Sequence, residues 1–186
     1  MIVREVIAQV AKIAEDDSMY SKIVTQADST DPKVKSKVNS LLACYNSVIR
    51  SIALNYYEYI KSVEVPVETV TIANLETPLI RLISIRDKQG KNLKYRIEND
   101  EIIVEKCPFI LSYRAFPKEQ SLVETYMFEK TPIGVNVVIY GTLAEYMLMQ
   151  NRIDEAQNWD NKFRQSLDFR LDYKARKLKA GKLWGL

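Results

Sequence analysis

The chain has 186 residues, of which 47% are hydrophobic and 27% are charged, the usage of an ordinary globular protein with a buried core. It contains no histidine, the commonest general base and transition-metal ligand, and its five glycines form no phosphate-binding pattern. Hydrolases, metalloenzymes and nucleotide-binding proteins are therefore disfavoured, and we expect no catalytic residue, no cofactor and no bound metal.

The first predicted element is an amphipathic helix over residues 2–14, whose apolar residues recur at spacings of three and four. Arg4, Glu5 and Lys12 interrupt its apolar run, and no small-residue cleavage site follows, so the pattern is not that of a signal peptide. We expect the protein to stay in the compartment where it is made.

A second, much longer helix is predicted from Asp31, which can cap the free amides, and Pro32, which suits the first helical position. Its apolar positions keep helical spacing as far as Ile60, a length of about 45 Å at 1.5 Å per residue. The tyrosines at its end, at positions 56, 57 and 59, are expected in a core or an interface, although aromatic side chains can also stack on nucleic-acid bases.

Residues 63–116 change to a period of two and are rich in β-branched residues, which predicts a small antiparallel sheet of four or five strands inserted between helices. Turn clusters at 87–91 and 98–101 bracket residues 93–97 and predict two successive hairpins. Cys44, in the long helix, and Cys107 lie in apolar sequence and are expected to be buried free thiols. The connection 117–132 gives no clear signal.

The last two predicted helices form a hairpin. An apolar helix over residues 133–149 is too short and too interrupted to span a membrane, and a corner at Gln150 and Asn151 leads into an amphipathic helix from Arg152. Such a hairpin packs most simply on the long helix. Its expected core consists of Tyr140, Leu143, Trp159 and Phe163.

The predicted fold is α+β and mostly α: a helical bundle, with the long helix central and the hairpin C-terminal, that carries the inserted sheet. A single domain over residues 1–186 is expected. Its parts are the N-terminal helices 1–62, the sheet 63–116, the hairpin 133–173 and a basic C-terminal segment 174–186.

The basic segment, residues 174–186, holds five positive charges and no acidic residue, so residues 1–173 carry a net charge of −2 and the segment alone makes the chain basic. Its apolar end is unusual for a solvating arm and favours docking into a groove on a partner, the alternative being a frayed terminus. The residues expected to dock are Lys174, Arg176, Lys177, Lys179, Lys182, Leu183, Trp184 and Leu186.

The sequence of the predicted hairpin resembles that of bacteriophage head-to-tail connector proteins, also called adaptors or head-completion proteins. The similar stretches read apolar-Tyr-Gly-Thr-Leu-Ala-Glu at residues 139–145, then acidic-Ala-x-x-Trp at residues 155–159, followed by Phe163. The sequence similarity is recognisable over residues 133–173, and the order of helices and strands is similar to that of the family over the whole chain.

This resemblance implies a structural virion protein and not an enzyme. In that family the subunits form rings, commonly of twelve copies, beneath the portal and extend the channel through which DNA leaves the capsid. It further implies that residues 174–186 dock on the portal, that tail or further neck proteins bind below, and that DNA passes without sequence-specific contact. The chain would be made in the host cytoplasm and act in the virion neck, with no membrane involved.

Two other functions stay open on the residues alone. The apolar helix, corner and Ala-x-x-Trp helix also resemble one unit of a helical-repeat adaptor, although stacking needs about three units and one is visible. A DNA-binding regulator could use the basic segment, with Lys33, Lys35 and Lys37 as candidates within the fold.

Overall fold

The computed structural model describes residues 1–15, 17–25, 30–129, 131 and 133–182, and from residue 169 onward it describes the backbone only. In these residues five α-helices accompany six strands. The helices are α1 (Val3–Ala14), α2 (Asp17–Thr25), α3 (Pro32–Asn55), α4 (Val135–Met149) and α5 (Ile153–Lys182). The strands are β1 (Ile60–Val65), β2 (Thr69–Thr71), β3 (Leu79–Arg86), β4 (Tyr95–Glu98), β5 (Glu101–Val104) and β6 (Phe109–Ala115).

The chain folds into two compact units, one formed by residues 1–49 and 119–186 and the other by residues 50–118. The chain therefore passes from the first unit to the second within α3 and returns after Lys118. That the chain forms a single domain stays a prediction. A domain is defined by independent folding, and compactness alone does not measure independent folding.

The first unit is helical. Its most extensive helix pairs are α1 with α2, α1 with α4, and α4 with α5. The predicted start of α3 is confirmed, because the Asp31 carboxylate accepts a hydrogen bond from the Lys33 amide at 2.8 Å and Pro32 is the first helical residue. Residues of α1, α3, α4 and α5 fill the core, among them Val6, Ile7, Leu41, Tyr45, Val138, Leu143 and Leu167.

The second unit is built from two three-stranded antiparallel sheets, ordered β1-β6-β3 and β2-β5-β4. Strand β6 alternates buried and partly buried residues, so its inner face, which includes Phe109, Leu111 and Tyr113, joins Ile102 and Val104 of β5 in one hydrophobic core. Each sheet thus covers an apolar face of the other, as in a small sandwich.

The guanidinium of Arg114 caps the C-terminal end of α3 within this second unit. Arg114 of β6 donates hydrogen bonds to the carbonyl oxygens of Ala53 and Leu54 at 2.7 and 2.6 Å. These carbonyls belong to the last turn of α3, where no intrahelical amide is left to bond them and where the helix dipole favours a cation.

The predicted fold class was wrong. The molecule is a mixed α+β protein with two sheets, not a helical bundle that carries one inserted sheet. The helical spacing of apolar residues predicted too long an α3. The helix ends at Asn55, and Ile60 is the first residue of β1. Apolar residues in strands after a helix can continue its three-and-four spacing by chance, and the extra residues made α3 seem long enough to organise a bundle.

Two predicted hairpins met different outcomes, and one helix was not predicted. The hairpin at residues 98–101 is confirmed, because β4 and β5 pair around Asn99 and Asp100, whose φ angles are 48° and 63°. The preceding hairpin was wrong, since the turn closed by Gly90 makes one bridge, between Arg86 and Asn92, and β4 then joins the other sheet. Helix α2 was missed because it has only nine residues and buries just two of them, Met19 and Ile23.

Candidate functional site

The hairpin of α4 and α5 is the element that the connector resemblance concerns. At Gly141, α4 lies close to both α5 and α3. A Cβ atom placed on Gly141 would lie 2.7 Å from Cγ1 of Val48, closer than real side-chain contacts, and 3.1 Å from the ring of Phe163, tighter than most of them. Helix packing therefore favours glycine at position 141, since a larger residue would separate the helices.

The four residues expected in the hairpin core fall into two pairs. Leu143 and Phe163 are buried, whereas Tyr140 and Trp159 are partly exposed. The two partly exposed rings stack on each other, with centroids 5.7 Å apart and planes 26° apart, and the Lys162 ammonium lies 4.1 Å from the Trp159 ring centroid. Tyr140 and Trp159 thus fix the outer surface of the hairpin through stacking and a cation–π contact.

The corner of the hairpin is tied to the end of α1. The Tyr146 hydroxyl donates a hydrogen bond to the Glu15 carboxylate at 2.6 Å, and burial together with this carboxylate raises the pKa of Tyr146. Arg152 donates to the carbonyl oxygen of Ala14 at 3.3 Å and forms two hydrogen bonds with the Glu155 carboxylate. These contacts hold the hairpin at a fixed position on α1.

A groove lies on the surface between α4 and α5 near the corner, with a volume of about 250 Å³. Ala156 is buried, while Leu148 and Ile153, which both line the groove, are 58% and 53% exposed. The lining residues are Ala144, Glu145, Leu148, Ile153, Ala156, Gln157 and Asp160. We call this cavity the corner groove.

Helix α5 is twice as long as its partner. It has 30 residues and α4 has 15, so pairing antiparallel from the corner leaves about 15 residues of α5, or roughly 22 Å, without an α4 neighbour. The last buried residue of α5 whose side chain is described is Leu167.

This extension carries most of the basic segment. The backbone of Lys174, Arg176, Lys177, Lys179 and Lys182 is helical, and their side chains lie outside the described residues. Leu183, Trp184 and Leu186 lie outside the described residues altogether. Their docking role stays a prediction.

Sequence reasoning missed a buried polar network around Gln120. The Gln120 side chain accepts a hydrogen bond from the Tyr45 hydroxyl at 2.7 Å and donates one to the carbonyl oxygen of Thr125 at 2.7 Å. Asn46 exchanges two hydrogen bonds with the Gln120 backbone, at 2.8 and 3.0 Å. Residues 119–129 are thereby held against α3, and the only sequence signal was a pair of polar residues within an apolar helical stripe.

The two cysteines differ in their surroundings. Both are free thiols, as predicted, but Cys107 is exposed and the prediction that it is buried was wrong, because it sits in the loop between β5 and β6. Cys44 is buried, and burial together with Glu145 raises the pKa of its thiol to about 11. A thiol that stays protonated at neutral pH is a poor nucleophile, so Cys44 serves packing.

The part of the chain that the structure describes contains neither a metal-binding cluster nor a membrane-spanning helix. Within residues whose positions the structure gives, no group of three or more Cys, Asp or Glu side chains is placed to hold a metal ion. In the same part of the chain, no helix combines the length and apolarity that crossing a membrane requires.

No family model matches this chain, and no curated protein is similar to it in sequence.

Proposed function

We propose that the chain is a ring-forming structural protein of a phage neck, which docks on the portal and extends the DNA channel towards the tail. The observation that carries the proposal is α5, which runs about 15 residues beyond its partner helix and bears the basic segment there. A helix of which about 15 residues run beyond its partner α4 is suited to reach a second protein.

The hairpin itself suits the wall of a ring. Close packing at Gly141, the Tyr146 contact with Glu15 and the Arg152 contact with α1 make it a rigid element. Rigid subunits that repeat one contact around an axis close into a ring when the rotation between neighbours allows it.

The distribution of charge also supports a channel. Residues 1–173 carry a net charge of −2, and the excess of positive over negative charge comes from the basic segment alone. A densely basic wall would hold the phosphate backbone through counterion release and would slow the passage of DNA. A nearly neutral body lets DNA pass, while the basic segment is free to bind the portal.

The decisive experiment is negative-stain microscopy of the protein mixed with the portal of the same phage. We expect rings of the protein attached to one face of the portal. The portal has to be present, because subunits of this kind can stay monomeric until a template orders them. A protein that remains monomeric and has no affinity for the portal would contradict the proposal.

A pair of matched variants tests the docking role. We expect Lys177→Gln with Lys179→Gln, and deletion of residues 174–186, to weaken or abolish portal attachment without changing the melting temperature. The circular dichroism of the deletion variant should lose only the helical signal of residues 174–182. The control is Lys91→Gln with Lys94→Gln, which removes the same charge from exposed sites in the second unit. Equal portal binding by all of these proteins would exclude the basic segment as the docking element.

A further inference from the structure

The corner groove presents an apolar surface with an acidic edge. Leu148 and Ile153 are more than half exposed on its two sides, and the small side chains of Ala144 and Ala156 leave space between the helices. Its volume of about 250 Å³ suits one large side chain. Exposed aliphatic side chains that converge on a cavity indicate a binding site for an apolar group.

The charges of this groove are of one sign. Glu145 and Asp160 line it, no basic side chain does, and the Glu145 carboxylate is exposed to solvent. Asp160 accepts a hydrogen bond from Arg164 one turn further along α5 at 2.7 Å, which neutralises part of its charge. The complementary ligand is therefore a large apolar side chain flanked by positive charges.

Residues 174–186 of this chain have that composition, since Trp184 and two leucines follow a run of lysines without any acidic residue. The same chain cannot supply them to its own groove. Lys182 lies 25 residues along α5 from Gln157, a distance of roughly 37 Å, and Trp184 is only two residues further on, a reach of about 7 Å. The segment can reach this groove only on another copy.

We propose that the corner groove receives the basic segment of a second copy of this chain. Trp184 enters between Leu148 and Ile153, and the lysines that precede it face Glu145 and Asp160. The contact joins one end of a subunit to a different surface of the next, so it repeats from copy to copy and generates rings or open chains. This goes beyond the proposed function, because it gives the portal and a neighbouring copy the same segment to compete for.

The test is sedimentation velocity of the full chain without portal, over a range of protein concentrations and at two salt concentrations. We expect reversible association that is weaker at high salt. Trp184→Ala should weaken it at least about tenfold, as is usual for a buried tryptophan at an interface. Glu145→Lys with Asp160→Lys should weaken it similarly, whereas Asp168→Lys, an exposed change on the same helix outside the groove, should leave it unchanged.

A charge exchange identifies the two surfaces as partners. Combining Lys179→Glu and Lys182→Glu with Glu145→Lys and Asp160→Lys should restore association that either pair alone removes. A full chain that stays monomeric, or one whose association is indifferent to Trp184→Ala, overturns the inference. Portal binding is measured separately, so either result leaves the proposed function to be judged by its own experiment.

Discussion

Gly141 shows how a single missing methyl group sets the spacing of three helices. Because a Cβ atom there would lie 2.7 Å from Val48 and 3.1 Å from Phe163, Gly141→Ala should force the helices apart. Overpacking costs about 1–3 kcal/mol, and the better helix propensity of alanine returns about 1 kcal/mol. We expect a net loss of up to about 2 kcal/mol in the free energy of unfolding, measured by urea denaturation.

Combining Gly141→Ala with Val48→Ala provides the control, because the smaller residue makes room for the new methyl group. The loss in the double variant should be smaller than the sum of the two single losses. Strictly additive losses would show that Val48 is not the obstacle.

Cys44 should make stability depend on pH in the alkaline range. Its folded pKa is raised from 9.0 to about 11, so the folded state holds the thiol proton more tightly than the unfolded state does. The stabilisation is complete below pH 9 and is lost as the pH rises towards 11. Urea denaturation at pH 8 and pH 11 should therefore show a smaller decrease for Cys44→Ala than for the natural chain, and equal decreases would refute the assignment to Cys44.

At the scale of elements, the turn between β4 and β5 limits the stability of that hairpin. Asn99 and Asp100 both have positive φ angles, and a type I′ turn prefers glycine at the second position. We expect Asp100→Gly to stabilise the protein by about 0.5–1 kcal/mol and Asp100→Val to destabilise it by at least as much. Thermal unfolding of both variants checks the prediction, which fails if glycine lowers the melting temperature.

The sequence predicted correctly those features that depend on residues close to one another in the chain. The start of α3 at Asp31 and Pro32, the Asn99–Asp100 turn, the free thiols and the corner after Met149 depend on neighbouring residues and could be predicted. The division of the strands into two sheets could not, because it depends on which distant strands pair. Strand β4 follows β3 directly in sequence and yet pairs only with β5.

The candidate site was predictable in part for the same reason. The composition of the basic segment and the hairpin residues could be read directly, whereas the corner groove requires Ala144 and Ala156 to face each other across two helices. Gln120 escaped notice because its partners, Tyr45 and Asn46, lie more than 70 residues earlier in the chain.

At the scale of the whole molecule, the separation of charge predicts how the protein meets DNA. Weak binding to duplex DNA at low salt should come from the basic segment, be independent of sequence, and disappear on deletion of residues 174–186. With five positive charges in the segment, the slope of log affinity against log salt should be no steeper than about −4.5. Sequence-specific binding that survives the deletion would favour the regulator alternative instead.

The hydrogen bonds between Asn46 and Gln120 have a further consequence for the chain as a polymer. They join two points between which the chain makes an excursion of about 70 residues, so the excursion begins and ends at one place in the first unit. The entropy of closing such a loop grows only with the logarithm of its length, and a doubling adds about 0.6 kcal/mol. Lengthening the second unit therefore adds little to the entropic cost of bringing Asn46 and Gln120 together.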